Sequence, residues 1–131
     1  MRTMKKILFP ALMAILLTGC QTSLDDQAER ECKEYTKKHC PQEDGLTILD
    51  SMSFTRSTRT IGYHYQIKGN DPYDPELFRQ KLLEALDNQT AVRSYKEAGF
   101  AFRYVFLSAE KPDSVILDVT FTQEDYQQGR H

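Results

Sequence analysis

The chain has 131 residues, which is enough for one domain with one modest core. It carries 17 basic and 19 acidic residues, a formal net charge of −2, and this balance offers no electrostatic footprint for nucleic acid. We therefore expect no nucleic-acid partner, and no motif in the chain indicates a cofactor.

The first nineteen residues differ in composition from the rest. Three basic residues form a positively charged n-region: Arg2, Lys5 and Lys6. Residues 7–17 carry no charge, and this run has the length of a signal-peptide h-region while being too short to span a bilayer as a stable helix. The segment 1–19 is therefore predicted to be a signal peptide that is removed.

The segment Leu17-Thr18-Gly19-Cys20 follows directly and resembles the lipobox of bacterial lipoproteins. The resemblance implies diacylglyceryl transfer to the Cys20 sulfur, cleavage before Cys20, and acylation (palmitate or a similar chain) of the new amino terminus. The competing interpretation is an ordinary secretory peptide or an uncleaved anchor with a cysteine nearby by chance. Agreement of the n-region, the h-region and all four lipobox positions favours the lipoprotein.

Lipidation would place the protein in the cell envelope. Two or more acyl chains give stable membrane anchoring, whereas one chain gives only marginal binding. Gln21 follows the cysteine where, by the sorting rule of enteric-type bacteria, an acidic residue would favour the inner membrane, so the outer membrane is expected. Removal of residues 1–19 leaves 14 basic and 19 acidic residues, a net charge of −5.

The mature chain begins with residues 20–26, which are polar and aperiodic and predict a tether. A helix is predicted over 27–37, followed by a stop at Cys40-Pro41. In an oxidising compartment Cys32 and Cys40 are expected to form a disulfide. A helix running through both positions would hold them about 12 Å apart, beyond the reach of a disulfide, so this expectation requires the helix to end near Lys37. Free thiols, or a metal site that adds His39 and His64, are the alternatives.

The remaining pattern predicts two hairpins separated by helices. Strands are expected over 46–54 and 60–68, a helix over 75–88 with Asp74 as N-cap, a short helix over 91–98 closed by Gly99, and strands over 100–108 and 114–122. The simplest arrangement is a single α+β domain over 27–122, with a four-stranded antiparallel sheet, helices on one face and the order α-β-β-α-β-β. Residues 123–131 are predicted to be a polar C-terminal tail.

Aromatic residues on the predicted strands are the strongest candidates for a contact surface. We expect them either to cover the helices as core residues or to form a ligand or partner surface, whose members would be Tyr63, His64, Tyr65, Tyr73 and Tyr104. No residue has a recognisable catalytic neighbourhood, so we predict that the protein is not an enzyme. The alternative is a glycan- or peptide-binding domain, or an envelope hydrolase that uses the aromatic sheet face and His64.

The predicted layout is a lipidated domain with a hairpin, a helix and a second hairpin. A glycine-aromatic step introduces the second hairpin: Gly99-Phe100-Ala101-Phe102-Arg103-Tyr104. This layout is similar to that of the α/β type of secretin pilot lipoproteins. It also resembles small envelope lipoproteins of unassigned function. The first resemblance implies a non-catalytic protein that binds or stabilises another envelope component. The cysteine pair departs from that layout, because it precedes the first hairpin.

Overall fold

The computed structural model describes the backbone of residues 13–69 and 73–128, and the side chains of residues 24–69 and 73–126. The helices are α1 (Met13–His39), α2 (Pro75–Asn88), α3 (Arg93–Glu97), which follows a 3-10 turn at Thr90–Val92, and α4 (Gln123–Gln128). The strands are β1 (Gln42–Asp44), β2 (Thr47–Thr55), β3 (Thr60–Ile67), β4 (Ala101–Ser108) and β5 (Val115–Phe121). Residues 1–12 of the predicted signal peptide, the side chains of 13–19 and of Cys20, and residues 129–131 of the predicted tail lie outside the described residues. Of the helices described, none is both long and apolar enough to cross a membrane.

The five strands form one mixed sheet in the order β1-β2-β3-β4-β5. The α+β class is therefore confirmed, but the prediction of a four-stranded, fully antiparallel sheet is wrong. Strand β3 pairs with β4 in parallel, because the chain returns through α2 to the starting end of the sheet before β4 begins. The extra strand, β1, has three exposed polar residues and no apolar alternation that could have revealed it.

The helices pack on one face of the sheet, here called the helix-covered face. Its residues on β3 and β4 are buried at alternate positions, apart from the partly buried Tyr65, and they share one core cluster with Ala28 of α1, Leu86 of α2 and Tyr126 of α4. The other side, the open face, presents His64 and Arg103. A bulge at Asp50 shifts the alternation of β2, so that Leu49 rather than Ile48 pairs with Tyr65 on the helix-covered face.

Helix α1 is longer than the sequence predicts at both ends. Helical backbone covers residues 20–26, where a tether is predicted, and Leu24 already packs against the core. At the other end the Cys40 amide donates to the Thr36 carbonyl at 3.2 Å, so the helical hydrogen-bond pattern continues through Cys40.

The predicted disulfide is absent: Cys32 and Cys40 are both free. The helix does not end near Lys37, and eight residues of helical rise separate the two α-carbons by about 12 Å, whereas a disulfide needs less than about 7 Å. Thr36 holds this part of α1 in place by hydrogen bonds with the Met52 amide and carbonyl at 2.9 and 3.1 Å.

The local signals around α2 and α3 are confirmed. The Asp74 side chain accepts hydrogen bonds from the Glu76 and Leu77 amides at 3.1 and 3.4 Å, and Pro75 begins the helix. Gly99 follows the short helix α3 at φ +82°, a left-handed conformation that favours glycine.

The C-terminal segment is not only a polar tail. Residues Gln123–Gln128 form α4, and Tyr126 is 1% exposed. Its hydroxyl lies 3.0 Å from the Lys96 carbonyl oxygen and 2.9 Å from that of Phe100, so the segment is fastened to the turn that precedes β4.

Candidate functional site

A groove lies over strand β3 on the helix-covered face. Helix α1 packs over β2, while α2 lies over β4 and β5, where Phe78 packs on Phe106 and the Arg79 guanidinium lies over the Phe121 ring. Strand β3 is left between them. The resulting cavity has a volume of about 590 Å³, within the range of sites that hold a small ligand or a peptide segment.

The groove has a floor and two walls. The floor is formed by Leu49, Met52, Ile61, Tyr63 and Tyr65. One wall is the face of α1 that runs from Ala28 to His39, and the other is the segment 89–95. The floor is apolar and aromatic, and the walls carry small side chains at Ala28 and Ala91, which leave the aromatic rings accessible.

The two walls are joined at one end of the groove. The Tyr95 hydroxyl donates to Glu31 Oε1 at 2.6 Å, a bond between α3 and α1. Burial and this carboxylate both raise the pKa of Tyr95, so the hydroxyl remains a donor. The rim also carries Glu34, Lys38 and Asp44, and acidic side chains therefore predominate around an apolar floor.

Tyr63 provides a polar group in the floor of the groove. The residue is 5% exposed, and its hydroxyl makes no well-formed hydrogen bond within the described part of the chain, although Gln89 lies near enough to affect its pKa. Burial raises the pKa of Tyr63, so its hydroxyl keeps its proton. A buried hydroxyl without a good partner is costly, and a carbonyl group of a bound segment would satisfy it.

The pKa values of both thiols are raised. Burial, followed by the charge of Glu31, raises the pKa of Cys32 to about 11, and its sulfur lies 3.5 Å from the Ser53 carbonyl oxygen. Burial and Asp50 raise the pKa of Cys40 as well. Since the thiolate is the reactive and metal-binding form, Cys32 acts here as a small apolar side chain in the groove wall.

The structure separates the residues of the predicted contact surface. Tyr63 and Tyr65 line the groove, but Tyr104 is buried, stacked on Tyr63 at 4.7 Å between ring centroids. Tyr73 is 37% exposed and stacks on Phe78 at the start of α2. His64 lies on the open face, so only two of these five residues belong to one surface.

His64 has a partner on the open face. Its Nε2 lies 3.0 Å from Ser53 Oγ, and both side chains lie over Gly62, where a Cβ would come within 2.7 Å of that oxygen. Burial, followed by Arg103, lowers the pKa of His64. Arg103 makes a bidentate ion pair with Asp118, in which Nε and Nη2 donate to the two carboxylate oxygens at 2.9 and 2.7 Å. The serine and histidine have the spacing of a nucleophile and a base, but they lie on an open sheet face, outside the groove.

The metal alternative has no geometric support. His64 and Cys32 lie on opposite faces of the sheet, and the described side chains include no group of three or more His, Cys, Asp or Glu residues that could hold a metal ion.

Comparison with known families adds two findings. A prokaryotic membrane lipoprotein lipid attachment site matches residues 4–21, which confirms the lipoprotein predicted from the lipobox. A family described as a domain of unknown function, DUF8479, matches residues 23–117, most of the chain. The chain belongs to this family. Its span contains both groove walls and the floor, and no curated protein matches the chain.

Three solved structures share the fold of this family member. The pilotin EpsS of the type 2 secretion system of Vibrio vulnificus has a TM-score of 0.66 at 14% identity, covering 81% of this chain and 94% of the pilotin. The type II secretion system pilotin AspS of Vibrio cholerae has a TM-score of 0.64 at 16% identity, covering 84% and 98%. A Pseudomonas aeruginosa protein described as secreted has a TM-score of 0.68 at 14% identity, covering 80% and 94%. The layout resemblance to pilot lipoproteins is thus confirmed at the level of the fold.

Sequence reasoning did not find the groove. Its walls come from residues 28–39 and 89–95, about sixty positions apart, and no local pattern places them together. The sequence did indicate Tyr63 and Tyr65 of the floor, but for the walls the signals were indirect: Ala28 on the apolar side of α1, and Ala91 in a segment that follows a helix end.

Proposed function

We propose that this chain is a lipid-anchored, non-catalytic pilot-like protein of the outer membrane, and that it binds an apolar segment of an envelope partner, an outer-membrane secretin, in the groove over β3. The groove is the single observation that carries this proposal. An apolar, aromatic floor of peptide-sized volume, with small side chains in both walls, fits an amphipathic segment better than it fits a reaction centre.

The polar groups of the groove describe the segment it would take. The Tyr63 hydroxyl offers a donor at the floor, and the rim carboxylates Glu31, Glu34 and Asp44 favour basic residues beside the apolar positions of the segment. The shared fold with two type II secretion system pilotins supports the choice of a secretin as the partner.

The experiment compares two substitutions on opposite faces of the domain. Ala91 and Thr120 are both exposed; Ala91 lines the groove, and Thr120 lies on the open face of β5. Ala91→Trp should fill the groove and reduce co-purification of the secretin with the lipidated protein by about tenfold or more, as expected for the loss of a central contact. Thr120→Trp should leave it unchanged.

A photo-crosslinking amino acid at the same two positions makes the result specific. Position 91 should give a crosslinked species in which mass spectrometry identifies secretin peptides, and position 120 should not. Crosslinking to the secretin from both positions alike, or from neither, would contradict the groove as the binding site.

The membrane part of the proposal has its own test. Cys20→Ala should move the protein from the outer-membrane fraction to a soluble periplasmic fraction, because the lipid supplies the attachment. An uncleaved, membrane-bound product would mean that residues 1–19 serve as an anchor.

A further inference from the structure

The lipid attachment lies close to one end of the sheet. Leu24 packs against the core, and only residues 21–23 separate it from Cys20. The backbone of this segment is helical, and even a fully extended one, at about 3.5 Å per residue, would keep Leu24 within roughly 14 Å of the lipidated cysteine. The part of the domain that holds Leu24 is therefore confined to the neighbourhood of the bilayer.

Ion pairs fasten the start of α1 to the β2–β3 turn at residues 56–59. Arg59 Nε lies 3.0 Å from Asp25, and one Arg56 Nη lies 2.8 Å from Asp26 and 2.9 Å from Glu29. The Arg59 guanidinium also lies 4.3 Å from the centre of the Phe100 ring, which connects the turn to the core. We call the surface formed by residues 24–29 and 56–59 the anchor pole.

The large hydrophobic side chains that stay exposed in the described part of the chain lie at the other end of the sheet. They are Leu46 (56% exposed), Tyr73 (37%), Leu77 (50%) and Val115 (59%). Leu46 precedes β2, Val115 begins β5, and Tyr73 and Leu77 lie at the start of α2, which follows the end of β3. Residues 38–47 of the groove lining belong to the same end, because α1 runs from the anchor pole toward it.

We propose that the mature domain docks on the phospholipid headgroups through its anchor pole, with the exposed β2–β3 turn against the bilayer and the Leu46 end facing away from it. A nine-residue strand spans about 30 Å, so a connecting segment of at most roughly 14 Å cannot reach the bilayer when the Leu46 end lies against it and the anchor pole faces away. The turn residues Arg56, Ser57 and Thr58 are exposed and polar, so the surface they form suits contact with hydrated headgroups rather than with the acyl chains. The exposed apolar side chains and the far end of the groove would then face a protein rather than lipid.

The absence of tryptophan from the chain gives a direct test, because one introduced Trp is the only indole reporter. Ser57→Trp and Leu46→Trp place it in two exposed turns at opposite ends of β2. Each lipidated variant is reconstituted in phosphatidylethanolamine–phosphatidylglycerol vesicles with and without lipids brominated near the headgroup, and Trp quenching is measured. Quenching at position 57 should exceed that at position 46 by at least about threefold, since interfacial groups sit within 5–10 Å of the headgroup boundary.

Equal quenching at the two positions would show a domain that lies on its side or tumbles about its lipid anchor. Stronger quenching at position 46 would show the reverse orientation. Either result overturns the proposal. Each variant is first checked by circular dichroism, and Thr58→Trp replaces Ser57→Trp if that variant does not fold. The inference depends on the lipid attachment and not on the secretin. Since no partner is present in the vesicles, its failure would leave the groove proposal untouched.

Discussion

The docking of α4 through Tyr126 gives the sharpest stability prediction, because the sequence favours a dispensable tail here. The Tyr126 ring is 1% exposed and packs edge-on against Phe102, with ring centroids 5.9 Å apart. Truncation of a buried aromatic side chain to alanine costs about 3–5 kcal/mol. Since single domains unfold at about 5–15 kcal/mol, Tyr126→Ala should remove a large fraction of the total stability.

The assay is urea unfolding of the unlipidated Cys20→Ala protein, followed by circular dichroism. Tyr126→Phe should cost only about 1 kcal/mol, because it removes the shared hydrogen bond to Lys96 and Phe100 and keeps the ring. Tyr73→Ala is the matched control: this tyrosine is 37% exposed, and its loss should cost less than about 1 kcal/mol. If Tyr126→Ala stays within 1 kcal/mol of the parent protein, α4 is not part of the folded core, and the reasoning from its burial is wrong.

Three further predictions concern single contacts. In Gly62→Ala the new Cβ would come within 2.7 Å of Ser53 Oγ and displace it from His64. The substitution should therefore lower the free energy of unfolding by about 1 kcal/mol more in the parent than in a Ser53→Ala background. Additive effects in a urea double-mutant cycle would refute this. Burial and Arg103 lower the pKa of His64, so as the pH falls the unfolded state takes up a proton first, near pH 6.5. The free energy of unfolding should therefore be highest above that pH and should fall as the pH drops toward 5. An unchanged pH dependence in His64→Gln would contradict this origin. Lys96 Nζ donates to the Leu86 and Asp87 carbonyl oxygens at 2.8 and 3.2 Å at the end of α2. Lys96→Met should therefore lower the free energy of unfolding by about 1–3 kcal/mol and speed amide exchange in the last turn of α2. Arg93→Met, at an exposed position, is the control and should do neither.

The local part of the fold is readable from the sequence because its signals are short-range. The N-cap at Asp74 and the helix start at Pro75 depend on neighbouring residues alone, and the alternation in β3 and β4 follows from the period of a half-buried strand. The same reasoning fails at β2, where one bulge residue, Asp50, reverses the side of every residue after it.

Of the candidate site, the sequence indicated two residues of the groove floor, Tyr63 and Tyr65, and grouped them with His64 on the other face. Strand periodicity separates the two faces of a sheet but does not tell which part of a face the helices leave uncovered. That depends on the distance between α1 and α2, which the packing of Thr36 on β2 and of Phe78 on β4 determines.

The sequence by itself determined that this protein is a lipoprotein. The basic n-region, the apolar run and the lipobox at Cys20 are contiguous, so this signal does not depend on the folded structure. The sequence also determined the α+β class, since that follows from local periods. Only the tertiary structure decided the parallel pairing of β3 with β4, the helical path of α1 through Cys40 that keeps two thiols apart, and the burial of Tyr126. The strand pairing and the burial of Tyr126 depend on contacts between residues far apart in the chain, as does the position of the end of α1, which Thr36 fixes on Met52. No local pattern records the free energies of such contacts.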